Sequence, residues 1–265
     1  MTFVSDIVEL IANFRHQTIT RQYGGLKKDF NMYTENRFQQ YLEPTAIIDS
    51  EHPNVRAFAE RVAGQADDPV EQSVRLYLAV RDGIRYDPYS PFYLPEHYRA
   101  SDVLERGKSF CIPKASLLCA LGRACRIPSR IGFAVVKNHL ATKQLLDYMG
   151  SNIFVYHGFV EFYLQGKWVK ATPAFNRELC EKHQVLPLEF NGHDDSLFHA
   201  YNSANQKYME YIEYLGTYAD VPVSEILKGW EESYGKERIQ KWIDMHRKIS
   251  DSNLPNFETE EVLKE

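Results

Sequence analysis

The spacing of apolar residues changes several times along the chain, and each change marks an element. Residues 3–15 carry Val4, Ile7, Val8, Ile11 and Phe14 at helical spacing. Gly24-Gly25 then interrupts, and a polar, aromatic stretch runs to Pro44. Residues 1–40 thus form a helical extension and linker, and Met32 is an alternative start that would leave 1–31 dispensable. A helix is expected over 54–64, ending at Gly64. The next one has a full start signal: Asp68 as N-cap, Pro69 at the first helical position and Glu71 three residues after the cap. Its apolar face is Val70, Val74, Tyr77 and Leu78.

Residues 84–98 are too rich in proline and aromatics for a regular element and read as a self-packed loop. Ser101-Asp102 caps a short helix ending near Gly107. From Cys111 a further helix begins, with Pro113 in its first turn, where a missing N–H costs nothing. Its small-residue face is Ala115, Leu118, Cys119, Gly122 and Cys125. That face suits packing against a sheet, with Cys119 and Cys125 as core residues. RIGFAVV (130–136) reads as a strand, and 139–150 as a weak helix ending at Gly150. Alternation over 153–164 and 167–172 predicts a hairpin turning at Gln165-Gly166. Helices are expected at 203–215, 223–234 with Ser224 as cap, and 236–248. The polar, acidic residues 251–265 read as a flexible tail.

Composition narrows the class. The 265 residues are 44% hydrophobic and 25% charged, with a formal net charge of −5, which is an ordinary globular balance. Basic residues are spread along the chain, which points away from nucleic acid and anionic membrane surfaces as partners. There is no apolar run of membrane-spanning length and no secretory signal pattern, so the expectation is a soluble, cytoplasmic protein. The four cysteines, Cys111, Cys119, Cys125 and Cys180, form no CxxC pair or zinc-type cluster, so neither metal nor other cofactor is expected.

One cysteine differs from the others. At a helix start, Cys111 lies where backbone N–H groups and the helix dipole favour a thiolate, the nucleophilic form. Such a nucleophile needs a base near in space. Among nine histidines, His157 lies in mid-strand beside Phe159, Glu161 and Tyr163 on one pleat face. A two-residue turn sets Tyr163 opposite Trp168, Phe159 opposite Thr172 and His157 opposite Ala174. Thr172 then shares the face of His157, one pair away diagonally, about 7 Å between backbones. Glu161 lies two pairs along, too far to serve. His193 and His199 read as loop residues, and the tyrosines from Tyr86 to Tyr98 as packing residues, some lining a groove.

These segments together resemble the transglutaminase-like, papain-like cysteine superfamily. The likeness rests on Cys111 ahead of its helix and IPSR, on HGFVE (157–161), on GKWVKATP (166–173), and upstream on DSEHPNVRAFAERVAG and DPVEQSVRLYLAVRDGIRYDP. It covers residues 41–200 as a domain, followed by a helical segment over 201–250. The fold it implies is α+β, with a central Cys-bearing helix on an antiparallel His-bearing sheet and flanking N- and C-terminal helices. It makes Cys111 the nucleophile and His157 its base, with an aspartate expected where Thr172 stands. Asn176, Asp194 or Asp195 could reach His157 from later loops, and Asn138 at a strand end could support the site. Phe159 stands where the family usually has tryptophan, and Lys108-Ser109-Phe110 replace the usual glycine.

The implied function is that of an amide hydrolase or acyltransferase of protease, amidase or transglutaminase type, working through a thioester on a peptide or amide-containing small molecule. Thr172 motivates an alternative, a catalytically weakened or inactive domain used for binding. A plain structural protein, with Cys111 and His157 both in the core, is a third.

Overall fold

The computed structural model describes residues 38–64, 66–248 and 255–261. The helix expected over 3–15 and Met32 lie outside these. The residues from Tyr41 onward form one compact unit. Its first half is helical: α1 (Pro53–Ala63), α2 (Pro69–Gly83), α3 (Ala100–Arg106) and α4 (Cys111–Ala124). Asp68 caps α2 as expected, its carboxylate accepting the Val70 N–H at 3.2 Å. Two-residue strands β1 (Arg85–Tyr86) and β2 (Lys108–Ser109) pair in parallel and hold the proline-rich loop against the start of α4. Helix α3 begins one residue before its expected cap, and Gly107 ends it in the left-handed conformation.

A four-stranded antiparallel sheet follows: β3 (Ser129–Asn138), β4 (Ile153–Leu164), β5 (Lys167–Ala171) and β6 (Met209–Tyr218), in the order β5-β4-β3-β6. Between strands lie α5 (Lys143–Met149) and α6 (Arg177–Lys182). The hairpin register is the expected one: Tyr163 pairs with Trp168, and Gln165 and Gly166 both take positive φ (49° and 88°), as a tight turn of this kind requires. Helix α4 is buried along nearly its whole length and packs on β4. Its small-residue face is a steric need, since a Cβ on Gly122 would come within 2.5 Å of the Phe162 ring. Cys119 is fully buried there, whereas Cys125 sits at the C-cap, half-buried at the edge of the core.

Two expectations fail. Residues 203–215 are not a helix: 209–218 form β6, which takes the open edge of β3, so the sheet runs past residue 200. The segment MEYIEYLGTY satisfies both periods on paper. Its Tyr, Ile and Thr content suits a strand, and the unpaired β3 edge supplies hydrogen bonds that a lone surface helix would not. Helices α7 (Val223–Tyr234) and α8 (Lys236–Lys248) then close the unit, with Pro222 rather than Ser224 at the cap position.

Nor are residues 255–261 a free tail. Phe257 is buried against Tyr86, Tyr89 and His183. The buried Glu260 carboxylate accepts hydrogen bonds from the Tyr89 and Thr142 hydroxyls. Acidic composition concealed one carboxylate with two dedicated donors.

Candidate active site

Cys111 is the first residue of α4. Phe110 before it is extended and offers no side-chain cap, so the N–H groups of the first turn stay available at the helix start. Strand β4 crosses this end at Gly158, so closely that a Cβ there would lie 2.8 Å from the Ile112 Cα. The backbone N–H groups of Gly158, Ile112 and Cys111 act on the Cys111 sulfur and favour its thiolate. Burial outweighs them and pushes the thiol up to about 11. The thiolate expected from the helix start is therefore not the resting form, because burial outweighs the N–H groups and leaves a protonated thiol. Cys111 keeps part of its surface open to a cavity whose walls are apolar, which is how it is both reachable and poorly solvated.

His157 follows from the same crossing. It is 4% exposed and lines the same cavity as Cys111. Its ring is covered by Phe198 at 4.8 Å and Tyr211 at 6.3 Å between centroids. Burial lowers its pKa to about 3, so the imidazole is neutral at rest. Its Nε2 is buried and makes no hydrogen bond.

A bulge sets the orientation of His157. Ala134 pairs with His157 and Val136 with Phe154, so β4 carries one extra residue there. Tyr156 absorbs it at a φ of 61°, a conformation aromatic residues rarely adopt. Helix α7 holds this strained turn. Trp230 Nε1 donates to the Val155 carbonyl at 2.8 Å, and the Tyr234 hydroxyl accepts the Val155 N–H at 2.8 Å and donates to the Ile153 carbonyl at 3.1 Å. Gly229 leaves room for the Tyr156 ring, which a Cβ would approach to 2.5 Å.

Thr172 lies one residue past β5 and is 1% exposed. Its Oγ1 makes no well-formed hydrogen bond, and the side chain that meets it is Tyr211, through the phenol hydroxyl. Tyr211 is therefore the common neighbour of His157 and Thr172. Sequence reading missed it because 203–215 was expected to be helical; the alternation of β6 was the available signal.

The other candidates are engaged elsewhere. Asn176 accepts the Tyr86 N–H at 3.0 Å and donates to Glu178, so it braces a cavity tyrosine and does not reach His157. Asp194 accepts from Asn191, and Asp195 from the Lys170 N–H and ammonium, both on the exposed side of β5. Asn138 accepts the Leu140 N–H at the end of β3, outside the Cys111 cavity. Glu161 is buried in ion pairs with Arg130 and Lys170. His193 and His199 are exposed. Among the described residues no cluster of three or more His, Cys, Asp or Glu could hold a metal, and no helix is long and apolar enough to cross a membrane.

A second residue that sequence reading passed over is Lys114, one turn after Cys111 and fully buried. Its Nζ donates to the Arg81 and Ile84 carbonyls, tying the end of α2 to the nucleophile helix. Burial lowers its pKa to about 7.

The cysteine thus starts a helix, the histidine lies on the strand that crosses that helix start, and the third candidate follows the hairpin. Residues 56–173, from α1 to just beyond β5, match the transglutaminase-like superfamily, and the matched stretch contains Cys111, His157 and Thr172. Similar solved structures include a putative cysteine protease from Cytophaga hutchinsonii, with 15% identity over 67% of this chain and 53% of that one at a TM-score of 0.41. A putative protease from Parabacteroides distasonis shares 17% identity over 45% of this chain and 23% of that one, TM-score 0.33. The periplasmic domain of TgpA from Pseudomonas aeruginosa shares 18% over 50% and 45%, TM-score 0.35. The chain spans about half or less of the length of each. No curated protein matches it.

Proposed function

We propose that this protein is a cysteine-dependent amide hydrolase or acyltransferase, with Cys111 as nucleophile and His157 as general base and then acid. The observation that carries this is the crossing of β4 over the start of α4, which sets the His157-Gly158 backbone against the Cys111 sulfur in one cavity. The resting pair is neutral, so the thiol proton passes to His157 as the sulfur attacks the carbonyl carbon. A C–S bond forms, and the oxyanion is held in part by the Cys111 N–H. The C–N bond then breaks and His157 returns its proton to the leaving amine. Water or a second amine adds to the thioester, the C–S bond breaks and the thiol is restored. In place of a carboxylate the imidazole has the Tyr211 ring packed against it, with Thr172 beside the Tyr211 hydroxyl, a neutral arrangement that Cys–His pairs tolerate better than Ser–His pairs.

The substrate is a peptide or an amide-containing small molecule. All four cysteines are unpaired, in keeping with a reducing compartment. Simple amides, supplied with and without an amine acceptor, test the reaction. Ammonia release without acceptor identifies a hydrolase, and amine incorporation a transferase. If neither is seen, and Cys111→Ala changes nothing, the proposal is wrong. The unbonded His157 Nε2 favours a second reading, a transglutaminase-like fold kept as a binding module.

A further inference from the structure

Cys111 and His157 open into one cavity, lined mostly by aromatic and aliphatic side chains. No Asp, Glu, Lys or Arg is among its lining residues. Its walls are rings: Tyr86 meets Phe175 edge-on at 4.6 Å, Tyr148 stacks on Trp242 at 4.5 Å, and Phe154 and Trp230 complete them. Three of the polar groups set in these walls are already engaged. Trp230 Nε1 is bonded to Val155, the Tyr234 hydroxyl to Val155 and Ile153, and the Ser90 hydroxyl to Asp87.

A guest in such a cavity finds no Asp, Glu, Lys or Arg as counter-ion. A charged group would give up its hydration without replacement, whereas an aromatic ring finds both faces and edges to pack on. The acyl group is the part that stays bonded to the sulfur between the two half-reactions, so it is the part a cavity built around that sulfur has to hold.

We propose that the acyl group this site accepts is uncharged and aromatic, of arylalkanoyl type. The inference rests on Cys111 being the nucleophile and adds the class of substrate. Its source is either a free arylalkanoyl amide or an aromatic residue of a peptide.

The test has two arms, both on the full chain. In the first, wild-type protein is treated with methyl thioesters of 3-phenylpropionate, propionate, succinate and N-acetylphenylalanine, and Cys111 acylation is followed by mass, each rate divided by that with glutathione. The new C–S bond forms at Cys111 as methanethiol leaves with the thiol proton. We expect phenylpropionyl to exceed propionyl by about tenfold and succinyl by about a hundredfold. A further preference for N-acetylphenylalanyl assigns the peptide source, and the reverse preference the free amide. In the second arm, Cys111→Ala protein is titrated with 3-phenylpropionamide and with succinamate, followed by tryptophan fluorescence and ligand-observed NMR. Binding of the aryl amide without acylation of wild-type protein keeps the ligand class and removes the cysteine chemistry. Equal acylation rates, faster succinylation, or no preference for the aryl amide in binding overturns the proposal.

Discussion

Gly158 lies against Ile112 so closely that any side chain would separate the strand carrying His157 from the helix carrying Cys111: the added Cβ would sit 2.8 Å from the Ile112 Cα. The glycine after the histidine is the condition for the two halves of the site to meet. Gly158→Ala is expected to destabilise the fold by about 1–3 kcal/mol through overpacking. It should also slow Cys111 alkylation at fixed pH, because the Gly158 N–H is carried away from the sulfur. Urea denaturation and iodoacetamide kinetics check the two effects separately.

Tyr234 and Trp230 hold the bulge that aims His157. Tyr234→Phe removes the group that bonds both the Val155 N–H and the Ile153 carbonyl, and should cost about 1–3 kcal/mol. With Tyr156 no longer held at positive φ, the His157 ring should lose its single orientation. Broadened or doubled His157 ring resonances in the folded variant would show this. An unchanged ring spectrum would count against the clamp.

Acid should weaken the fold. His157 is held at about 3 and His183 at about 4 by burial, both below the ordinary imidazole value. The unfolded chain therefore binds more protons than the native one between those values and about 6.5. The stability conferred is complete above that window and is lost as pH falls through it, at up to about 1.4 kcal/mol per pH unit for each histidine. His157→Phe should flatten the slope measured by urea denaturation between neutral pH and the mildly acidic range, leaving the part due to His183.

The segment 255–261 should matter to stability. Glu260→Ala leaves the Tyr89 and Thr142 hydroxyls without their acceptor and should cost about 1–3 kcal/mol. Glu261→Ala, on the exposed neighbour, should change stability by less than about 0.5 kcal/mol. Thermal denaturation of the two variants makes the comparison.

What was legible in the sequence was local. Asp68-Pro69, the small-residue face of α4 and the Gln165-Gly166 turn each have a mechanism that acts within a few residues, and each appears where expected. Hairpin parity gave the register of β4 and β5 correctly because strand period is rigid. Long-range pairing was not legible. β6 reads ambiguously until the open edge of β3 is known, and with β6 went Tyr211. Glu260 and Lys114 escaped for the same reason: a charged residue reads as solvated, and only the fold shows the hydroxyls or carbonyls that satisfy it in the core. The thiol of Cys111 was read from its helix start, which favours thiolate, while the apolar cavity that outweighs that effect is assembled from residues as distant as Tyr86 and Trp242.

The central claim is that Cys111 takes up an acyl group with the help of His157. Acid-quenched mass analysis with peptide mapping, after brief exposure to an aryl acyl donor, tests it directly. The account predicts one acyl group per chain on Cys111, none on Cys119, Cys125 or Cys180, and a rate lower by about a hundredfold or more in His157→Gln. Acylation spread over the cysteines, or a rate indifferent to His157, would contradict it.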